Sequence, residues 1–218
     1  MPFREEMLTE GLPPLRITEN INSLRLRRVD DLPSPFDEIN RPVHNLVVGN
    51  PPYVRSERSG GGLDRESIRH YIAGIGKTNL AGLFVHRALE QWCTNEDDGG
   101  GKLAFVLPAG VFDGDEYDRL RRTFVPGIGN HRRITALIDL EAIHHHVFPE
   151  AKVIPVLLFA EVGEASWDDT IEVSTPGPDC VEPSIDGGQA VFHLDRAPVR
   201  RVNLKDVLIT SQDARILT

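Results

Sequence analysis

Apolar residues fall along this chain in bursts of two different periods. Four short runs, at residues 45–49, 103–107, 134–140 and 156–162, have the length and the Val/Leu/Ile content of buried strands. Between the first and second, Leu80, Leu83, Phe84, Ala88 and Trp92 recur on one helical face. Between the second and third, Tyr117, Leu120 and Phe124 recur at i, i+3 and i+7, predicting a helix over residues 115–125. Strand–helix–strand–helix–strand is the order of an α/β fold, with a mostly parallel sheet covered by helices. Pro155 is a misfit in the last strand, because proline has no N–H for the ladder.

Turn-forming residues divide the rest. Residues 1–44 read as an irregular lead-in, with Pro13-Pro14 and Pro33-Ser34-Pro35 marking loops and a short extended piece near residues 24–29. A polar, glycine-bearing loop is expected from residue 55 to about 76, and a tight turn at residues 97–101. Residues 45–163 then form the main unit. After Gly163 the composition shifts to acids and to turns such as Ser174-Thr175-Pro176-Gly177-Pro178, so residues 164–218 are expected to be a connector leading into a further region.

Composition narrows the class. With 218 residues, 40% hydrophobic and 26% charged, the chain can bury the core of one domain. No run approaches the roughly 18 apolar residues of a membrane span, and the charged N-terminus has no apolar signal region. Cys93 and Cys180 are isolated thiols in neither metal nor redox spacing, which fits a reducing cytoplasm. A net charge of −9 argues against binding nucleic acid through bulk electrostatics, although a local basic groove stays open.

The most informative chemistry lies at the end of the first strand, in Asn50-Pro51-Pro52-Tyr53. Ligands of open α/β sheets bind beyond the carboxyl ends of strands. The Asn50 amide oxygen and the Pro51 carbonyl offer two acceptors for one exocyclic NH2 group, with the carbonyl preset by the fixed φ of proline. Tyr53 offers a flat face for a planar ring. The plainer reading is a strand followed by a proline turn. Other motifs carry less. Gly74-Ile75-Gly76-Lys77-Thr78 resembles a phosphate loop, but Tyr71 stands where its first glycine is required and no strand precedes it. His144-His145-His146 cannot all face one ion from a regular element, so a solvated loop is expected. Arg119, Arg121, Arg122 and His131-Arg132-Arg133 are either phosphate contacts or solvated faces. Phe148-Pro149 is either a pocket-closing aromatic or an ordinary core residue.

The order of these pieces resembles the DNA methyltransferases of restriction–modification systems that modify adenine N6. Val47-Val48-Gly49-Asn50-Pro51-Pro52-Tyr53-Val54 is similar to their catalytic motif. The segment from Gly76 through Leu80 to Phe84 is similar to the one lining the cofactor's adenine pocket. Gly101 to Ala109 is similar to the strand after it, and Val147-Phe148-Pro149-Glu150-Ala151-Lys152-Val153 to the segment that stacks on an extruded base. The resemblance implies S-adenosylmethionine as methyl donor and double-stranded DNA as substrate. It implies Asn50, Pro51, Pro52 and Tyr53 as catalytic residues, Tyr53 and Phe148 as the base-stacking pair, and Asn50, Leu80 and Phe84 as cofactor contacts. It also implies a partial Rossmann-like sheet with helices on both faces that lacks its first strands, since the glycine-rich cofactor loop expected upstream of Asn50 is not found. Residues 45–163 are then expected to be the catalytic part of the methyltransferase domain and residues 164–218 a linker and the start of a target-recognition region, with a separate polypeptide supplying that loop and a target-recognition domain. Two alternatives stand beside this reading: a protein glutamine N5-methyltransferase, and a catalytically inactive fragment or interaction module.

Overall fold

The computed structural model describes residues 44–53, 80–112, 117–127, 132–149, 152–182 and 190–204. The extended piece at residues 24–29, the loop at 55–76 and residues 205–218 lie outside them. Six of the described strands form one sheet in the order β1-β2-β4-β3-β5-β8. These are β1 Leu46–Gly49, β2 Lys102–Pro108, β3 Arg132–Asp139, β4 Pro155–Val162, β5 Thr170–Ser174 and β8 Val199–Asn203. Two short strands, β6 Val181–Glu182 and β7 Val191–Phe192, pair separately. The four strands read from the sequence are thus present, each within two residues of its expected ends.

The pairing is mixed. β1 is parallel to β2 and β3 is parallel to β5, whereas β4 runs antiparallel between β2 and β3, and β8 antiparallel along β5. Four strands therefore point one way and two return. The β3–β4 connector carries only a one-turn 3-10 segment, Glu141–Ile143, and the one-turn helix α3, His144–Val147. It turns the chain back beside β3 rather than over the sheet. Pro155 sits comfortably because it is the first residue of β4, where its carbonyl accepts from the Leu140 N–H at 3.3 Å. The stretch after Gly163 contributes β5 and β8 to this same sheet.

One face of the sheet holds the core. β2 and β4 place Leu103 opposite Ala160, Phe105 opposite Leu158 and Leu107 opposite Val156. All six are buried, together with Ile134, Leu137 and Ile171 from the neighbouring strands. Helix α1, Leu80–Arg87, covers this face with Ala81 and Val85, and continues as a π-helical turn, Ala88–Trp92, which adds Ala88 and Leu89. Helix α2 is Asp118–Arg122, shorter than the periodicity predicts, and Tyr117, Leu120 and Phe124 around it enter the same cluster. The second face is half-buried at its centre (Ala104, Val106, Leu157, Phe159), while Leu46 and Val48 at its β1 margin are 60% and 67% exposed.

The glycine run before β2 has a packing explanation. Gly100 has φ +63, and a Cβ there would lie 2.3 Å from the Val162 carbonyl oxygen. A Cβ on Gly101 would lie 2.6 Å from Cys93 Cβ. The run lets β2 enter between β1 and β4. Arg121 and Arg132 turn inward, while Arg133 stays at the surface. Arg121 is 2% exposed and donates to the Val111 carbonyl at 3.1 Å, Arg132 pairs with Glu90 at 3.3 Å, and Arg133 pairs with Glu161.

Leu158 is the residue whose loss the sheet should feel most, since it is 1% exposed in the strand shared by β2 and β3. Leu158→Ala is expected to lower unfolding free energy by about 2–5 kcal/mol, read from urea titration of the intact chain.

Candidate functional site

β1, β2, β3 and β5 all end on one edge of the sheet, so the segments that follow them gather there. Asn50-Pro51-Pro52-Tyr53 leaves β1 at that edge, with Pro51 buried, Asn50 and Pro52 exposed and Tyr53 between. The buried proline anchors the turn by its ring, which leaves the amide of Asn50 presented outward. Gly49, the last residue of β1, permits this, because a Cβ on it would lie 3.0 Å from the Phe105 ring. Phe105 therefore slides under the strand end, directly beneath the turn.

A cavity of about 360 Å³ runs beside β1 to this turn. Asn50, Pro51 and Pro52 line its mouth, and Phe84, Trp92 and Phe105 give it an aromatic wall. Phe84 and Trp92 meet edge to face, with centroids 6.3 Å apart and planes at 63°. Of the residues expected to contact a cofactor, the cavity joins Asn50 and Phe84. Leu80 stands one turn before Phe84 on α1, 6% exposed and in the core rather than on the cavity wall. Phe105 and Trp92 escaped the sequence reading as site residues. Phe105 looks like any inward residue of an alternating strand, and Trp92 like the last apolar position of a helix.

Tyr53 packs against the core, and burial pushes its phenol from 10.0 up to about 12. It is a neutral, half-buried ring rather than an acid or base at ordinary pH. Cys93 lies behind the cavity wall, and burial raises its thiol to about 11 against the opposing charge of Arg132. A thiol so protonated is a poor nucleophile. Phe148 follows α3 at the same end of the sheet, half-buried, on the connector from β3. By sheet order β3 lies three positions from β1, about 14 Å at ordinary strand spacing. Phe148 thus shares the working edge with Asn50 without lining the cavity. The histidine run forms α3, with His145 and His146 exposed, and no metal-competent cluster occurs among the described residues.

Two outcomes follow from this geometry. Gly49→Val is expected to displace the Phe105 ring and lower the melting temperature, by an overpacking cost of about 1–3 kcal/mol in thermal unfolding. The Tyr53 phenol holds its proton more firmly when folded than unfolded. Its contribution is therefore complete below pH 10.0 and disappears as pH rises through about 12. Urea unfolding across that window should show a downward slope that Tyr53→Phe reduces.

Among curated proteins no relative matches the chain. Solved structures do resemble it. One is a modification subunit assigned to a type I restriction enzyme from Vibrio vulnificus YJ016, with 16% identity, a TM-score of 0.53, and coverage of 90% of this chain and 40% of that one. A second is the type I restriction–modification system methyltransferase subunit from Streptococcus thermophilus, with 15% identity, a TM-score of 0.52, and coverage of 85% and 40%. At these identities the likeness establishes the fold, a partial Rossmann-like α/β sheet, and the chain spans about two fifths of the length of those proteins. Residues 15–148 match the profile of the Eco57I restriction-modification methylase family. That match covers well over half of the 218 residues, and the chain belongs to this family.

Proposed function

We infer that this chain carries the catalytic part of a DNA methyltransferase that moves a methyl group from S-adenosylmethionine to the N6 amino group of an adenine extruded from double-stranded DNA. The observation that carries the reading is the Asn50-Pro51-Pro52 turn at the mouth of an aromatic-walled cavity on the carboxyl edge of the sheet. Family membership supports methyl transfer as the reaction.

The cavity fits part of the cofactor. Its volume and its aromatic lining suit a flat purine, with Phe84 as the ring facing it and Leu80 holding Phe84 from the turn before. Among the described residues no carboxylate lines the cavity for a ribose and no glycine-rich loop cradles a methionine tail. Bound there, S-adenosylmethionine would supply an electrophilic methyl group. The chain's own residues act on the other partner. Adenine's amino lone pair is delocalised into its ring and attacks poorly. The Asn50 amide oxygen and the Pro51 carbonyl accept the two amino hydrogens, which favours a tetrahedral nitrogen and the positive charge that builds on it. No tuned acid or base is required to begin. Extruding the base costs a few kcal/mol of stacking, which rings such as Tyr53 and Phe148 offset.

The open margin of the sheet supports a partner. β1 is the outermost described strand, yet it reads Leu-Val-Val-Gly and leaves Leu46 and Val48 mostly exposed. Strands of parallel pairs are ordinarily covered on both faces, and natural edges are usually charged. Further polypeptide packed along β1, from a longer protein or from a separate subunit with the target-recognition region, would complete both the sheet and the cofactor site. No helix of the described residues is long and apolar enough to cross a membrane, which is compatible with a cytoplasmic enzyme.

Asn50→Ala is expected to abolish methyl transfer while leaving the far-ultraviolet dichroism and melting point unchanged. The test uses labelled S-adenosylmethionine with duplex DNA and, in parallel, with a glutamine-bearing protein substrate. Label in adenine N6 that vanishes in the variant bears the reading out. Label in glutamine favours the protein-methyltransferase alternative, and equal transfer by the variant would sink the role of Asn50.

A further inference from the structure

The turn of helix that ends at Trp92 has an unusual pitch, and the pitch has a consequence for the cavity. Phe84 and Trp92 are eight residues apart. At about 100° per residue an unbroken α-helix would set them roughly 80° apart around its axis. The chain instead winds residues Ala88–Trp92 as a π turn, closed by the Cys93 N–H donating to the Ala88 carbonyl at 2.9 Å. A π turn takes up almost one residue more than an α turn, which removes most of that angular difference, and such turns concentrate at functional sites. The side chains of a helix also lean toward its N-terminus, so Trp92 reaches back along the axis to meet the Phe84 ring. The result is the edge-to-face pair at 6.3 Å, with both rings on the cavity wall.

The far end of the turn is pinned. The Trp92 carbonyl accepts from the His44 N–H at 3.1 Å, and the Thr94 N–H donates to the His44 carbonyl at 3.1 Å. The aromatic wall is thereby tied to the residues that lead into β1 and its catalytic turn. Glu90, inside the π turn, pairs with Arg132 on β3 and with His86 on α1, which ties the turn to the sheet. The Trp92 Nε1 donor is buried and meets no acceptor among the described residues, a state that weighs against the folded protein. A phenylalanine at this position would carry no such donor.

We propose that Trp92 is a positioning residue, set by the π turn, that fixes the Phe84 ring against the purine end of the cofactor cavity. The proposal rests on the cofactor reading above, and its test separates the two. Trp167 is the chain's other tryptophan and is 40% exposed, so Trp167→Phe leaves Trp92 as the sole emitter. That protein is titrated with S-adenosylhomocysteine, following Trp92 emission together with the calorimetric binding constant. Calorimetry is repeated on Trp92→Phe and Trp92→Leu, each checked for an unchanged melting transition. The expected result is a saturable change in Trp92 emission, near-parental affinity in the Phe variant, and affinity roughly five- to tenfold weaker in the Leu variant, the scale of one lost aromatic pair. Affinity in a folded Leu variant equal to the parent's, or an emission spectrum untouched at saturation, would overturn the role of Trp92 while leaving the cofactor site in place. The purine end of the cavity is built from this chain alone, so an absence of binding by the parent protein even at roughly millimolar S-adenosylhomocysteine overturns the cofactor reading and the proposal with it.

Discussion

β4 enters at Pro155 and leaves at Val162 between two strands that both run against it, laying Val156, Leu158 and Ala160 against Leu107, Phe105 and Leu103 on one side and pairing with β3 on the other. Antiparallel pairing of this kind joins elements that lie far apart in sequence, because β2 precedes β4 by about fifty residues. Without it, the β1–β2 half and the β3–β5 half would share no ladder. The helices depend on it too, since Ala81, Val85, Tyr117 and Phe124 all pack onto the face that this ladder makes continuous. The mixed pairing also decides where function resides. By reversing only β4 and β8, the sheet keeps the carboxyl ends of β1, β2, β3 and β5 on one edge.

That edge works through backbone shape more than through ionisation. Gly49 allows Phe105 under the strand end, Pro51 anchors the turn in the core, and the acceptors that remain are an amide oxygen and a carbonyl. Neither changes charge near neutral pH. The two groups whose protons burial does hold, Tyr53 and Cys93, are held in their neutral forms. Such a site suits a reaction in which charge develops on the substrate and is met by fixed dipoles.

The arginine-rich stretches illustrate how structure reassigns charge. In the sequence they stand beside one another and invite a phosphate-binding reading. In the fold Arg121 caps a loop carbonyl, Arg132 ties β3 to the π turn through Glu90, and Arg133 crosses to Glu161 on the next strand. The first two are buried braces, and the third is a surface pair. The large apolar side chains left most open on the sheet are those of Leu46 and Val48 on β1.

Much of this was legible in the residue pattern, for local reasons. Runs of Val, Leu and Ile bounded by glycine and proline mark strands, and Asn50-Pro51-Pro52-Tyr53 offers two acceptors and a flat ring by residue type alone. What local pattern cannot carry is pairing between distant segments. Nothing near residues 155–162 says that they run against β2, and the prolines and acids after Gly163 hide β5, which pairs with the distant β3, and β8, which pairs with β5. The same holds for Trp92. Its spacing from Phe84 marks it as the last apolar position of a helix, and only the π turn, braced by Glu90, Arg132 and the His44 backbone, swings it onto the wall of the cavity. Helical pitch responds to tertiary contacts that a sequence window of one helix does not contain.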